Sequence, residues 1–194
     1  MKKLMLTAGI GAMAFLLSSC FVLQSIGLTV GAVAPGGTTK LRVTVRPFST
    51  TKDPTYSKLY QFVVVGVDTP ADVSIQSAKW GTNGKFGGPL NMPASSALVG
   101  AIGTDCDTSG FSFSGLTGIT WKGFVTSNPI NDRQLVGQTS VMEVGLKALS
   151  AATRKDNVSV IGFTGAWIDD GDGLLNAPDT FVCTGNGSTF LYIK

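Results

Sequence analysis

Apolar residues in this chain recur at every second position, and this constrains the fold more than any other feature. In Lys40-Leu41-Arg42-Val43-Thr44-Val45-Arg46, aliphatic residues alternate with cations and a threonine. Successive side chains of a strand point to opposite faces, so the pattern predicts a half-buried strand with Leu41, Val43 and Val45 inward. Ile26, Leu28 and Val30 alternate with small residues, and Ala34-Pro35-Gly36-Gly37 is a turn signal between the two patterns. Within 59–67, the contiguous Phe62-Val63-Val64-Val65 predicts a strand covered on both sides or at a sheet centre. Further strands are expected at 72–80 (Val73 and Ile75 inward), 97–102, from Phe111 and Phe113, and at 119–124, 158–167 and 190–193. In 141–149, Met142, Val144, Leu146 and Ala148 alternate against Glu143 and Lys147; a strand is favoured, with a short helix as its rival. Residues 49–56 read as a polar loop and 81–95 as a long Gly/Asn/Pro loop.

Composition supports the same class. The chain holds 25 glycines and a single glutamate, Glu143, which disfavours a helical bundle. Short strands separated by Gly/Pro turns, with no helical stripes between them, indicate an all-β antiparallel sandwich. The segment running through Pro35-Gly36-Gly37 into Lys40-Leu41-Arg42-Val43-Thr44-Val45 resembles the first hairpin of bacterial immunoglobulin-like and fibronectin type III-like domains. That resemblance implies an Ig-like β-sandwich with a surface or binding role. Cys106 and Cys183 lie too late in the chain for the antibody-type disulfide of that fold.

The amino terminus reads as an export signal. Lys2 and Lys3 give a positive start and residues 4–17 an apolar core, followed by Leu17-Ser18-Ser19-Cys20. A membrane-spanning helix needs about twenty apolar residues, more than this core supplies. Leu17-Ser18-Ser19-Cys20 resembles the lipobox of bacterial lipoproteins, which implies cleavage before Cys20 and attachment of diacylglycerol to its sulfur. Residues 1–19 are thus expected to be a signal peptide and 20–194 a single lipid-anchored domain. Phe21, where an aspartate would signal inner-membrane retention, favours the outer membrane if the source is diderm.

Of the 194 residues, 175 remain without the signal, and loss of Lys2 and Lys3 takes the net charge from +3 to +1. This is no basic field for nucleic acid. With Cys20 set aside, Cys106 and Cys183 form an even pair in an exported chain and suggest a structural disulfide; two separate buried thiols are the alternative.

Few residues offer chemistry. The chain has no histidine, so Ser-His-Asp catalysis and His-ligated zinc are excluded. Ser49-Thr50-Thr51-Lys52 has S-x-x-K spacing but lacks its partner motifs. One glutamate and turn-borne aspartates make a glycosidase carboxylate pair a poor expectation. Asp169-Asp170-Gly171-Asp172-Gly173, with Asp179 beyond, could supply oxygen ligands to calcium. In an EF-hand alignment Ile168 occupies the first ligand position, so a polar hairpin turn is the favoured reading and calcium held by Asp170, Asp172 and Asp179 the alternative. Trp80, Trp121 and Trp167, with Tyr56 and Tyr60, could form a stacking face, although a tryptophan in a strand is more often packed. The function expected is a non-enzymatic envelope module, structural or protein-binding, held to the membrane through Cys20. A carbohydrate- or small-ligand-binding module using Trp80 or Trp121, with or without calcium, is the alternative.

Overall fold

The structure, a computed structural model, describes residues 21–47, 59–68, 71–82, 87–89, 119–126, 139–152, 155–168 and 180–194. Cys20, Ser49, Lys52, Tyr56, Cys106, Asp170, Asp172, Asp179 and the expected strands at 97–102 and 111–113 lie outside these residues.

Ten strands follow in chain order: β1 (Phe21–Leu28), β2 (Ala32–Val33), β3 (Thr38–Pro47), β4 (Leu59–Val67), β5 (Val73–Thr82), β6 (Gly87–Pro89), β7 (Thr120–Val125), β8 (Ser140–Ala148), β9 (Lys155–Ile168) and β10 (Thr180–Ile193). They form two five-stranded sheets, β1-β3-β8-β5-β6 and β2-β10-β9-β4-β7. All pairings are antiparallel except that of β2 with β10. No helix occurs among the described residues, and the 140–148 segment is a strand.

The strand order is that of an immunoglobulin sandwich. β1, β3, β8 and β5 take the A-B-E-D places of one sheet, and β10, β9 and β4 the G-F-C places of the other. β7 departs from the pattern: it flanks β4 but follows the D-position strand in the chain.

The alternation in β3 falls as its sequence dictates. Leu41, Val43 and Val45 are fully buried between the sheets, while Lys40 and Arg42 stand on the outer face. Met142, Val144, Leu146 and Ala148 of β8 and Val63, Val65 and Val67 of β4 complete the centre of this core. The turn preceding β3 is type II in form: Gly36 has φ +79° and Gly37 N–H donates to Ala34 C=O at 2.8 Å.

A second apolar layer covers the outer face of the β10-β9-β4-β7 sheet. Phe62, Val64, Val125, Ile161, Phe163 and Trp167 are buried there. β4 is thus covered on both faces, which explains its unbroken apolar run.

Two features of the fold depart from the expectations above. Residues 81–95 were expected to be loop, yet β5 runs through Thr82 and Gly87–Pro89 pairs with it. β10 begins at Thr180, ten residues before the strand expected at 190–193, and runs through Gly185-Asn186-Gly187. These glycines admit β1. A Cβ at Gly185 would meet Leu23 Cβ at 2.5 Å, and one at Gly187 or Gly162 would collide with Ile26. The edge strand β1 therefore closes one side of the sandwich by seating Leu23 and Ile26 on glycine backbone.

Candidate functional site

Three groups of side chains carry the polar and aromatic chemistry of the described residues. The first lies inside the sandwich at the β4 and β8 N-terminal ends. Trp80 Nε1–H of β5 is 2.8 Å from Ser140 Oγ and 3.2 Å from Gln61 Oε1, and Ser140 Oγ–H donates to Gln61 Oε1 at 2.6 Å. Gln61 is fully buried, and its Nε2 has no hydrogen-bond partner. Nearby, Thr126 N–H donates to Gln61 C=O at 3.0 Å and tethers the end of β7 to β4.

The second group is the outer layer. Register places Tyr60, Trp167 and Phe181 side by side on β4, β9 and β10. Tyr60 stacks on Trp167 with ring centroids 4.7 Å apart, and Trp167 lies nearly parallel to Phe181 at 6.4 Å. Trp121 covers Gly66, where an added Cβ would meet its ring at 2.5 Å, and approaches Phe163 at 6.0 Å. These geometries are those of packed aromatic pairs.

The third group is on the outer face of the other sheet. Glu143 of β8 is 3% exposed and faces Arg42 of β3 in register. Lys40 Nζ donates to Glu143 Oε2 at 2.7 Å, and Arg42 donates to Oε1 through Nη2 at 2.6 Å and Nε at 3.1 Å. Burial by itself would raise the Glu143 pKa; the hydrogen bonds and charges of Lys40 and Arg42 outweigh it and hold the carboxyl below its ordinary value. The one glutamate of the chain is therefore an ionised structural clamp.

Trp80 and Trp121 do not share a surface. Trp80 is half-buried against the inter-sheet core, whereas Trp121 is half-buried in the outer layer of the opposite sheet. Trp167 is buried. Cys183, in β10, is half-buried, and Cys106 lies outside the described residues. Among the described residues, no three His, Cys, Asp or Glu side chains group as metal ligands, and no helix is long and apolar enough to cross a membrane.

Two features were not anticipated. Lys122 of β7 points inward and donates from Nζ to Ile75 C=O at 2.9 Å, beside the β5 bulge between Ile75 and Ala78, so it ties one sheet to the other. Val30, Phe190 and Tyr192 are each about half exposed. Phe190 and Tyr192 lie on β10, where Tyr192 pairs with Ala32 of β2, whereas the Val30 backbone is hydrogen-bonded to Thr39 Oγ1 of β3. Alternation alone marks Phe190 and Tyr192 as outward once Leu191 and Ile193 are taken as core.

No family model and no curated protein matches the chain. Among solved structures, it is similar to the major pilin subunit of Bacillus cereus at TM-score 0.46 and 7% identity, covering 89% of this chain and 40% of that one. It is similar to the N-terminal domain of the Streptococcus gordonii adhesin Sgo0707 at TM-score 0.47 and 8% identity, covering 90% and 33%. It is also similar to AvmM, which catalyses macrocyclisation in alchivemycin A biosynthesis, at TM-score 0.45 and 13% identity, covering 90% and 89%. The chain thus spans less than half the length of the pilin and of the adhesin chain. At these values the likenesses assign neither family nor function.

Proposed function

We propose that this chain is an exported lipoprotein, cleaved before Cys20 and lipidated there, whose Ig-like sandwich is a non-enzymatic structural or protein-binding module of the cell envelope. The observation that carries the non-enzymatic reading is the use of chemistry-bearing residues in packing. Glu143 is clamped by two cations, Trp80 is hydrogen-bonded in the core fringe, and Trp167 is buried in a ring stack. Support for the anchor comes from the lipobox residues themselves and from β1, whose pairing starts at Phe21 with Pro47, next to Cys20. A lipid on Cys20 would hold the sandwich against the bilayer with no intervening linker. Single acyl chains hold proteins only marginally, so the reading requires a multiply acylated Cys20.

For a protein-binding role, exposed Phe190 and Tyr192 of β10 are the surface on which such a partner would rest. Cys106 is the proposed disulfide partner of Cys183.

Fractionation and intact mass test the anchor. The wild-type chain should sediment with membranes and carry the mass of diacylglycerol, and Cys20→Ser should be released or accumulate unprocessed. Normal cleavage with undiminished membrane retention in Cys20→Ser would refute it.

A further inference from the structure

The outer face of the β1-β3-β8-β5-β6 sheet gathers positive charge that is scattered in the sequence. Lys40 and Arg42 of β3, Lys147 of β8 and Lys79 of β5 all alternate with core residues and so share this face. Register sets Arg42, Glu143 and Lys79 in one row across three strands, with Lys40 and Lys147 beyond it toward the β8 C-terminus. Lys40 and Arg42 remain 53% and 50% exposed although both touch Glu143. These four cations share the face with one carboxylate, beside the uncharged Thr38, Thr44, Ser74, Val141 and Gly145. By contrast, the outer face of the other sheet is apolar.

We infer that this basic sheet face lies on an anionic lipid surface. The inference rests on the proposed anchor for its orientation. β1 is the edge strand of this same sheet, and its first residue follows Cys20, so a lipid there would tether this sheet directly to the bilayer. An open face of positive charge complements a plane of phosphate headgroups. Phe190 and Tyr192, on the opposite sheet, then stay exposed on the side away from the bilayer.

Amine footprinting of the full-length protein tests this without substitutions. The protein is reconstituted into vesicles of phosphatidylcholine alone or of phosphatidylcholine with phosphatidylglycerol, then treated briefly with an amine-acetylating reagent. Lys40, Lys79 and Lys147 should be protected in the anionic vesicles only, and protection should fade at high salt as screening shortens the reach of the charges. Lys194, at the far end of β10, should react equally in both. In co-sedimentation with preformed anionic vesicles, Lys79→Gln and Lys147→Gln should each lower partitioning roughly fivefold, the effect expected for one surface cation. The ion pairs of Glu143 are with Lys40 and Arg42, so both variants should fold.

Equal labelling of the three lysines in the two vesicle types would overturn the inference. So would protection by added polyphosphate in the absence of any protection by anionic vesicles, which would assign the face to a soluble anionic polymer. Intact mass of the same sample reports separately on Cys20. An unlipidated chain that still binds anionic vesicles through these lysines would sink the anchor and keep the face.

Discussion

Glu143 shows how one residue's role is set by its neighbours. Its carboxylate is nearly excluded from water yet stays ionised, because Lys40 and Arg42 donate to both oxygens. In the unfolded chain the carboxyl returns to its ordinary range and binds protons more readily than in the native state. Stability from this clamp is therefore complete above the ordinary glutamate pKa and is lost as pH falls through the depressed native value. Denaturant midpoints measured from neutral to acid pH should show this loss, and Glu143→Gln should flatten it while costing about 1–2 kcal/mol at neutral pH. An acid limb unchanged in Glu143→Gln would trace the loss to other groups. Gly66 makes a second prediction at this scale. A methyl group there meets the Trp121 ring, so Gly66→Ala should cost about 1–3 kcal/mol and shift tryptophan emission to the red. A variant as stable as wild type with unchanged emission would mean that Trp121 does not sit on that backbone.

The strands divide into those legible from their own residues and those that are not. β3, β4 and β8 carry their burial in their alternation or their unbroken apolar runs, and each lies where the pattern requires. β10 is different. Gly185-Asn186-Gly187-Ser188 has the local chemistry of a turn, yet the chain passes straight through it as strand, with a register shift between Cys183 and Gly185. The reason is nonlocal: Leu23 and Ile26 of β1 occupy the space that side chains at these positions would fill. Gly187→Ala should then destabilise the protein by about 1–3 kcal/mol. Ile26→Ala in the same chain should recover part of that loss, because the two changes share one volume. Strictly additive losses in the double-mutant cycle would refute the contact. The aromatic ladder is legible only in part. Tyr60, Trp167 and Phe181 are visible as aromatic residues in or near strands, but their stacking depends on the pairing of β4, β9 and β10.

For the molecule as a whole, the proposed Cys106–Cys183 bridge would close a long loop onto the G-position strand. Reduction should lower stability by about 4 kcal/mol in the chain-entropy model, and peptide mapping without reductant should recover the two cysteines linked. A Cys183 peptide linked to any other thiol would exclude the pairing.

The sequence by itself determined that this is an all-β chain and which face of β3 and of β8 is buried, since alternation and turn chemistry act between neighbouring residues. It also carries the lipobox-like pattern ending at Cys20 on which the proposed export rests, and that pattern is read locally. Tertiary structure alone decided the distribution of charge: a chain of net charge +3 presents four cations on one sheet face, because pairing of β3, β8 and β5 brings positions 40, 42, 79 and 147 together. It likewise decided that Trp80 and Trp121 lie in separate layers and that the glycines of β10 are seats for β1. Such outcomes depend on which strands become neighbours, and a long-range pairing leaves no mark in either partner's local pattern.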